Sequence, residues 1–235
     1  MALFGRGVLA IWNGIDPESE ADFVAWHVAE HIPERVGLPG FLRGRRYVAV
    51  DGQPKYFNFY ETERPETLGS EAYVARLNDP TPWTRRIMAH FHDTSRTICD
   101  VVVSLGRGEG AWMEAIQIRA MDSPALQSAC TAQIMPALIA VPGVCGAHLL
   151  HGRLPAGAIN TTETELRGGP DASADWIVMI EAAEESLIRD QRAGILRQAN
   201  LIASGARPEM VRGIYRLQFS LSCAELEPCN PRASS

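Results

Sequence analysis

No apolar run in this sequence approaches the roughly 20 residues that a membrane-spanning helix needs. Net positive charge is missing too: the formal balance is −6, which gives nucleic acid or an anionic membrane no bulk attraction. Cysteine is sparse and unpaired in spacing. Five cysteines, an odd number, predict free thiols in a reducing cytoplasm, with Cys223 and Cys229 near enough to pair without being required to. The first residues, MALFGRGVLAIWNGID, lack the basic, apolar and small-residue succession of a signal peptide. No G-x-G-x-x-G, Walker A or G-x-S-x-G pattern occurs, so no nucleotide cofactor is indicated.

What is present is a core and a repeat. Hydrophobic residues make up 46% of 235 positions, enough for a sizeable interior. Residues 5–14 read as a strand, with the apolar run from Val8 to Trp12 needing cover on both faces. Asp16-Pro17 opens a helix, and Ala21, Val24, Ala25, Val28 and Ile32 form its apolar stripe. Pro33 predicts a kink or break in its last turn, and Gly37, Pro39 and Gly40 end it. Strands follow at Phe41–Val50 and Tyr56–Glu61, joined by an Asp51-Gly52 turn. A short helix over 65–77, a helix from Thr81-Pro82 through Phe91, and a strand at Thr97–Leu105 complete the half.

The order then recurs. A strand at Met113–Ala120, a helix from Ser123-Pro124 to about Ala140, strands at Val144–Leu150 and Trp176–Ala182, a helix over Glu184–Ser204 and a strand at Arg212–Leu221 match it element for element. Pro33, Pro39 and Gly40 each have a counterpart at a constant offset of 103 residues, in Pro136, Pro142 and Gly143. An internal duplication accounts for this. Each half is β-α-β-β-α-β, the ferredoxin-like plan. Helices cover one sheet face only, so each sheet must meet the other. The expected fold is α+β: two fused ferredoxin-like repeats forming an α+β barrel. Residues 1–108 form the first repeat, 109–222 a degenerate second one and 223–235 a flexible tail. The polar stretch 152–175 is long for a connection, and is expected to be poorly ordered or to cover a pocket mouth.

Ionisable residues gather in the first half. His27 and His31 are i, i+4 on one helix face, beside the apolar stripe, where imidazoles suit proton transfer; surface histidines are the plain alternative. By the 103-residue offset His27 faces Cys130, Glu30 faces Gln133, His31 faces Ile134, Arg45 faces His148 and Arg46 faces Leu149. One working pocket, in the first half, is therefore expected; a rival around His148 and His151 is the competitor. Glu30 is a candidate to orient the histidines or meet substrate. Arg45 and Arg46 project to opposite faces of their strand, so at most one enters a given pocket as a carboxylate clamp. Asn58 and Tyr60 share a strand face and would give an apolar cavity polar lining. Trp12 offers an aromatic wall or core packing. Of His90 and His92, His90 is the better pocket candidate. His27 to His31 also spells H-x-x-E-H, the spacing of one zinc-protease class, but a third ligand and the matching fold are missing, so zinc-protease chemistry is not expected and no metal is assigned; a looser metal site using His90 or His92 stays open.

The run W-H-x-x-E-H-x-P-E-R-x-x-x-P-G-F from Trp26 to Phe41, followed by R-G-R-R-Y ending at Tyr47, resembles the dimeric α+β barrel superfamily, particularly its EthD-like proteins. The resemblance covers residues 5–105 in full pattern and the second half as a repeat of fold. It implies a small-molecule pocket in a ferredoxin-like unit, and His31 as part of the motif. It does not imply one chemistry: members include cofactor-free monooxygenases, muconolactone isomerase-like enzymes, haem-dependent enzymes, dehydratases and decarboxylases. The parts favour a cytoplasmic, cofactor-independent lyase of the decarboxylase type acting on an aromatic or related organic acid. His31, His27, Tyr60 and His90 would be catalytic, and Arg45, Arg46, Asn58, Trp12 and Glu30 would bind substrate. The partner is a small molecule, with no nucleic acid or membrane, and a homodimer is left open. The alternatives are a cofactor-free or haem-dependent monooxygenase, an isomerase, or a non-catalytic ligand-binding barrel.

Overall fold

A computed structural model of the chain describes residues 3–153, 161–168 and 171–226. Eight strands carry the fold: β1 (Gly7–Ile15), β2 (Phe41–Gly52), β3 (Tyr56–Thr62), β4 (Phe91–Gly106), β5 (Trp112–Ala120), β6 (Val144–Gly152), β7 (Trp176–Ala182) and β8 (Ala206–Ser222). They close into one barrel in the order β1-β3-β2-β8-β5-β7-β6-β4. Within it each repeat keeps the ferredoxin-like order, β4-β1-β3-β2 and β8-β5-β7-β6. The antiparallel pairs β2–β8 and β4–β6 sew the two sheets together and leave neither with a free edge. The expected α+β barrel of two fused repeats is the fold of this protein.

The turn residues behind the duplication have a shared backbone cause. Gly40 and Gly143 both adopt positive φ, 84° and 89°, as each helix hands over to the next strand. The prolines have one as well. The first helix runs through three segments, Glu20–Trp26, a π-turn at His27–His31 and Ile32–Val36. Its counterpart runs Ser123–Ala129, a π-turn at Cys130–Ile134 and Met135–Ile139. In the π-turns Ile32 N–H donates to the His27 carbonyl, and Met135 N–H to that of Cys130, five residues back. Pro33 and Pro136 follow at once; having no N–H to donate, they leave the ladder free to widen there. Pro33 thus widens its helix without ending it.

Several elements differ from expectation. The helix at Pro82–Met88 stops early, and β4 starts at Phe91, where Gly14 pairs with His92 and Ile15 with Phe91. The expected helix over 184–204 is two helices, Glu185–Ala193 and Gln198–Ala203, interrupted at Gly194. β8 begins six residues before Arg212, at Ala206. A short helix at Cys223–Leu226 lies inside the expected tail; the rest of that tail, and the Cys223–Cys229 pairing, fall outside the described residues. No helix among the described residues is long and apolar enough to cross a membrane.

Alternation along the strands divides the side chains between lumen and outer face. Trp12, Phe57, Phe59, Met113, Met179 and Tyr215 fill the lumen. Trp12 is fully buried, stacked on Phe57 at 4.3 Å between centroids, so it is core and not a substrate wall. One end of the lumen is ionic. Arg45 donates to the Tyr47 hydroxyl and to Glu181, both at 2.9 Å, and its guanidinium lies 3.3 Å from Glu61. His148 sits in the same cluster, 3.0 Å from Ser104 Oγ and 3.3 Å from Glu181. Burial works to raise the Glu181 pKa, but Arg45 and His148 hold it below the usual carboxylate range. Arg45 is therefore a lumen strut, committed to carboxylates of both repeats.

Candidate active site

The outer face of the first sheet carries the other side-chain set. Leu9 and Ile11 on β1, Asn58 and Tyr60 on β3 and Arg96 on β4 face the first helix, and a cavity lies between them. Its volume is ≈ 40 Å³, room for a few water molecules. Gly44 on β2 lets the helix approach: a Cβ there would lie 2.9 Å from both the Ile32 and Tyr60 side chains.

His27, His31 and Arg35 project into the cavity from the helix. In a regular α-helix residues eight apart lie about 80° out of line around the axis. The π-turn rotates the chain less per residue, which returns Arg35 toward the side of His27. Both imidazoles are buried, with ring centroids 5.5 Å apart. Trp26 lies against His31 at 4.2 Å, and Phe23 against His27 at 5.1 Å. His27 Nε2 is 3.4 Å from the Tyr60 hydroxyl, at the long end of hydrogen bonding. Nδ1 of His27 and Nδ1 of His31 are buried with no hydrogen-bond partner. Burial, then the guanidinia of Arg46 and Arg35, hold the His27 pKa well below 6.5. Burial, then Arg35, His27 and Arg167, do the same for His31. Both rings are neutral at neutral pH, and each keeps a buried nitrogen that no hydrogen bond uses. Burial raises the Tyr60 hydroxyl pKa, so it too is neutral.

The remaining sequence candidates lie elsewhere. Glu30 accepts from Trp26 Nε1 at 3.2 Å, from Thr81 at 2.6 Å and from Thr84 at 3.1 Å, pinning the helix and the Trp26 ring to the helix at Pro82–Met88. It positions a wall and does not line the cavity. Arg46 donates to the Val24 carbonyl and to Gln218, both at 3.1 Å, and acts on His27 only through its charge. His90 is on the surface, its Nδ1 3.0 Å from Asp16, because the chain turns away before β4; Phe91 enters the cavity wall instead. The rival second-half site does not assemble: His148 is in the lumen, while His151 lies outside, its ring 4.4 Å from Trp176.

Tyr73, Arg96, Glu163 and Arg167 also line the cavity, and sequence reasoning had not singled them out. Arg96 donates to the Tyr73 hydroxyl at 2.9 Å. Glu163 pairs with Arg35, and Arg167 with Asp171 at 2.8 Å. Glu163 and Arg167 belong to the long β6–β7 connection, whose short helix Thr162–Leu166 covers this first-repeat cavity. Among the described residues no three His, Cys, Asp or Glu side chains could together hold a metal ion.

This arrangement can now be set beside known structures. The chain has the ferredoxin-like α+β-barrel fold. It is similar to an anthrone oxidase-like protein at 14% identity, over 94% of both chains, with a TM-score of 0.63. It is similar to a putative monooxygenase from Fusobacterium nucleatum at 8% identity, over 94% of this chain and 96% of the other, with a TM-score of 0.60. A putative chlorite dismutase matches at 10% identity, over 94% and 96%, with a TM-score of 0.54. No family model and no curated protein matches the chain. None of these three structures is described as EthD-like.

The second repeat of the barrel has the same geometry and different contents. Strand pairing puts Asn58 and Tyr60 opposite Ile11 and Leu9, and puts Val178 and Ile180 opposite Ile116 and Glu114. With the helix offset, the set His27, His31, Arg35, Asn58, Tyr60 becomes Cys130, Ile134, Leu138, Val178, Ile180. All five belong to one buried apolar cluster. Burial pushes the Cys130 thiol up to about 11, so it supplies no thiolate. The same scaffold is hollow and polar in one repeat, and filled in the other.

Proposed function

We propose that the first-repeat cavity binds a small hydroxylated aromatic molecule and catalyses its cofactor-free oxidation by dioxygen. The observation that carries this reading is the restriction of the polar set to one of two matching scaffolds. A packing requirement would apply to both repeats, whereas the second repeat fills these five positions with Cys130 and four aliphatic side chains. The walls, Trp26, Phe41, Tyr60, Tyr73 and Phe91, suit an aromatic ring. Three guanidinia and two neutral imidazoles favour the anion of that ring over its neutral form.

The chemistry follows from these groups. His31 or His27 takes the phenolic proton; alone in the cavity either ring is a weak base, but the phenolate stabilises the imidazolium, and Arg35 and Arg96 stabilise the phenolate. The electron-rich ring carbon of the phenolate adds dioxygen to form a hydroperoxide, which recovers the proton from the imidazolium. Loss of water leaves a quinone. Dioxygen supplies the oxygen of the new carbonyl and the oxygen of the water, so no outside reductant is consumed. Oxidase-like and monooxygenase-like neighbours in fold support this choice among anion chemistries. The helix motif at Trp26–Phe41 supports a place for the chain near the EthD-like proteins.

Haem fits this cavity poorly. His27 and His31 have unused nitrogens, but the cavity, ≈ 40 Å³ in volume, admits even one aromatic ring only as its wall yields, and a macrocycle needs several times that room.

Decarboxylation is the second reading, favoured by one observation: Arg35 reaches the cavity already paired to a carboxylate. Dioxygen uptake with a panel of hydroxyarenes, run beside carbon dioxide release under argon, separates the two. Oxidation predicts one dioxygen consumed per quinone formed and no carbon dioxide. Carbon dioxide release without dioxygen would replace it with the lyase reading, and tight binding without either gas change would leave a ligand-binding barrel.

A further inference from the structure

Among the described residues lining the cavity, three are guanidinium cations and one, Glu163, is a carboxylate. That carboxylate does not come from the repeat that builds the cavity. β2 and β3 are joined by residues 53–55 alone, whereas the equivalent β6–β7 connection spans 153–175 and carries the helix Thr162–Leu166. Glu163 is 3% exposed and Arg35 is 2% exposed, so the pair is formed away from water.

We propose that Glu163 holds a seat on Arg35 meant for an ionised carboxylate of the ligand, which makes the ligand a hydroxyaromatic acid and Glu163 a specificity-determining residue. This rests on the cavity being the ligand site.

Three features support the exchange. Glu163 meets Arg35 at Nη2, and a ligand carboxylate oxygen can accept the same charge-assisted hydrogen bond in its place. Arg35 keeps a second carboxylate, Glu34 at 3.1 Å, which is itself shared with Arg76 at 2.9 Å, and so is not stranded during the exchange. The helix bearing Glu163 is tied to the first repeat by exposed hydrogen bonds from Thr162 to Asn78, both 3.2 Å. Leu166 keeps the helix packed on the cluster of Phe23, Trp26 and Ile87, so the exchange needs only the Glu163 side chain to swing out; among the described lining residues the charges then left are guanidinia.

The test is calorimetric titration under argon, so that turnover does not intrude, with 2-hydroxybenzoate and its methyl ester as probes. Wild type, Glu163→Gln and the double variant Glu163→Gln/Arg35→Gln are compared. Glu163→Gln is expected to bind the acid at least tenfold more tightly than wild type, with the ester unchanged and the gain absent in the double variant. Unchanged or weaker acid binding, an equal gain for the ester, a gain that survives loss of Arg35, or no binding by any form overturns the proposal. If Glu163→Gln melts too low to titrate, thermal shifts of the wild type decide: stabilisation by the acid alone supports the seat, and equal shifts with the ester overturn it. Dioxygen uptake is measured separately, so binding without oxidation defeats the catalytic reading and leaves this one standing.

Discussion

Arg35 and Leu138 occupy equivalent places in the two repeats, each on the helix turn that follows a π-turn and each buried against its own sheet. One is a cation facing a cavity, the other an alkyl chain filling the same space. Exchanging their chemistry should destabilise the fold in both repeats but touch binding in only one. Leu138→Arg buries a charge with no partner, and should cost about 3–5 kcal/mol of stability. Arg35→Leu strands the buried Glu163 carboxylate, and should likewise cost about 3–5 kcal/mol while abolishing binding of aromatic acids. Urea denaturation of both variants, with ligand titration of the second, checks the contrast.

His31→Gln keeps most of the volume of the ring and removes its basic nitrogen. General acid–base groups contribute about 10²- to 10⁴-fold in rate. The variant should lose turnover by that order with an unchanged circular dichroism spectrum. Oxidation rates within threefold of wild type would remove His31 from the chemistry.

The two lowered imidazole pKa values make stability depend on pH in a stated direction. Unfolded histidines titrate near 6.5, while His27 and His31 in the fold bind protons only well below that. Below 6.5 the unfolded chain therefore takes up more protons, and stability falls as pH drops from there toward the lowered native values. Above 6.5 neither state is protonated at these rings, and their contribution is constant. Melting temperatures between pH 7.5 and 5 should fall, and the fall should be shallower in the double variant His27→Gln/His31→Gln. Equal slopes would mean that both rings titrate normally.

The lumen charges should matter to folding and not to catalysis. Glu181 contacts Arg45 and His148 inside the barrel, on the opposite face of the sheet from the cavity. Glu181→Ala leaves a buried guanidinium short of a partner, and should cost about 3–5 kcal/mol. Its kcat at a temperature where it remains folded should match wild type. Chemical denaturation and steady-state rates measure the two separately.

Much of this fold is legible in local pattern, because repetition doubles the signal. Trp176–Ala182 is an unbroken apolar run with one acid, and Pro33 with Gly40 recurs as Pro136 with Gly143. The start of β4 is not legible: His92, Asp93, Thr94 and Ser95 are polar, and the pairing of β4 with β1 holds them in the strand. Gly194 splits its helix although apolar positions continue on both sides, at Ile188 and Leu196. In the site, His27, His31, Asn58 and Tyr60 could be grouped because helix and strand periods put them on shared faces. Alternation also separates Arg45 from Arg46, but it does not say which face is lumen; that depends on which sheet closes over which. Arg35 was within reach, one further turn along the face of His27 and His31 and inside the same motif. Glu163 and Arg167 were not, since the contact between Arg35 and Glu163 joins a helix to a polar connection in the other repeat, and no local pattern encodes it.

Histidine-selective nuclear magnetic resonance during ligand titration tests the central claim most directly. The six rings, His27, His31, His90, His92, His148 and His151, report on the cavity, the surface and the lumen in one experiment. Addition of 2-hydroxybenzoate should shift the His27 and His31 resonances together and leave the other four in place. Shifts at His148 or His151, with His27 and His31 unmoved, would put the ligand in the second repeat and contradict the account.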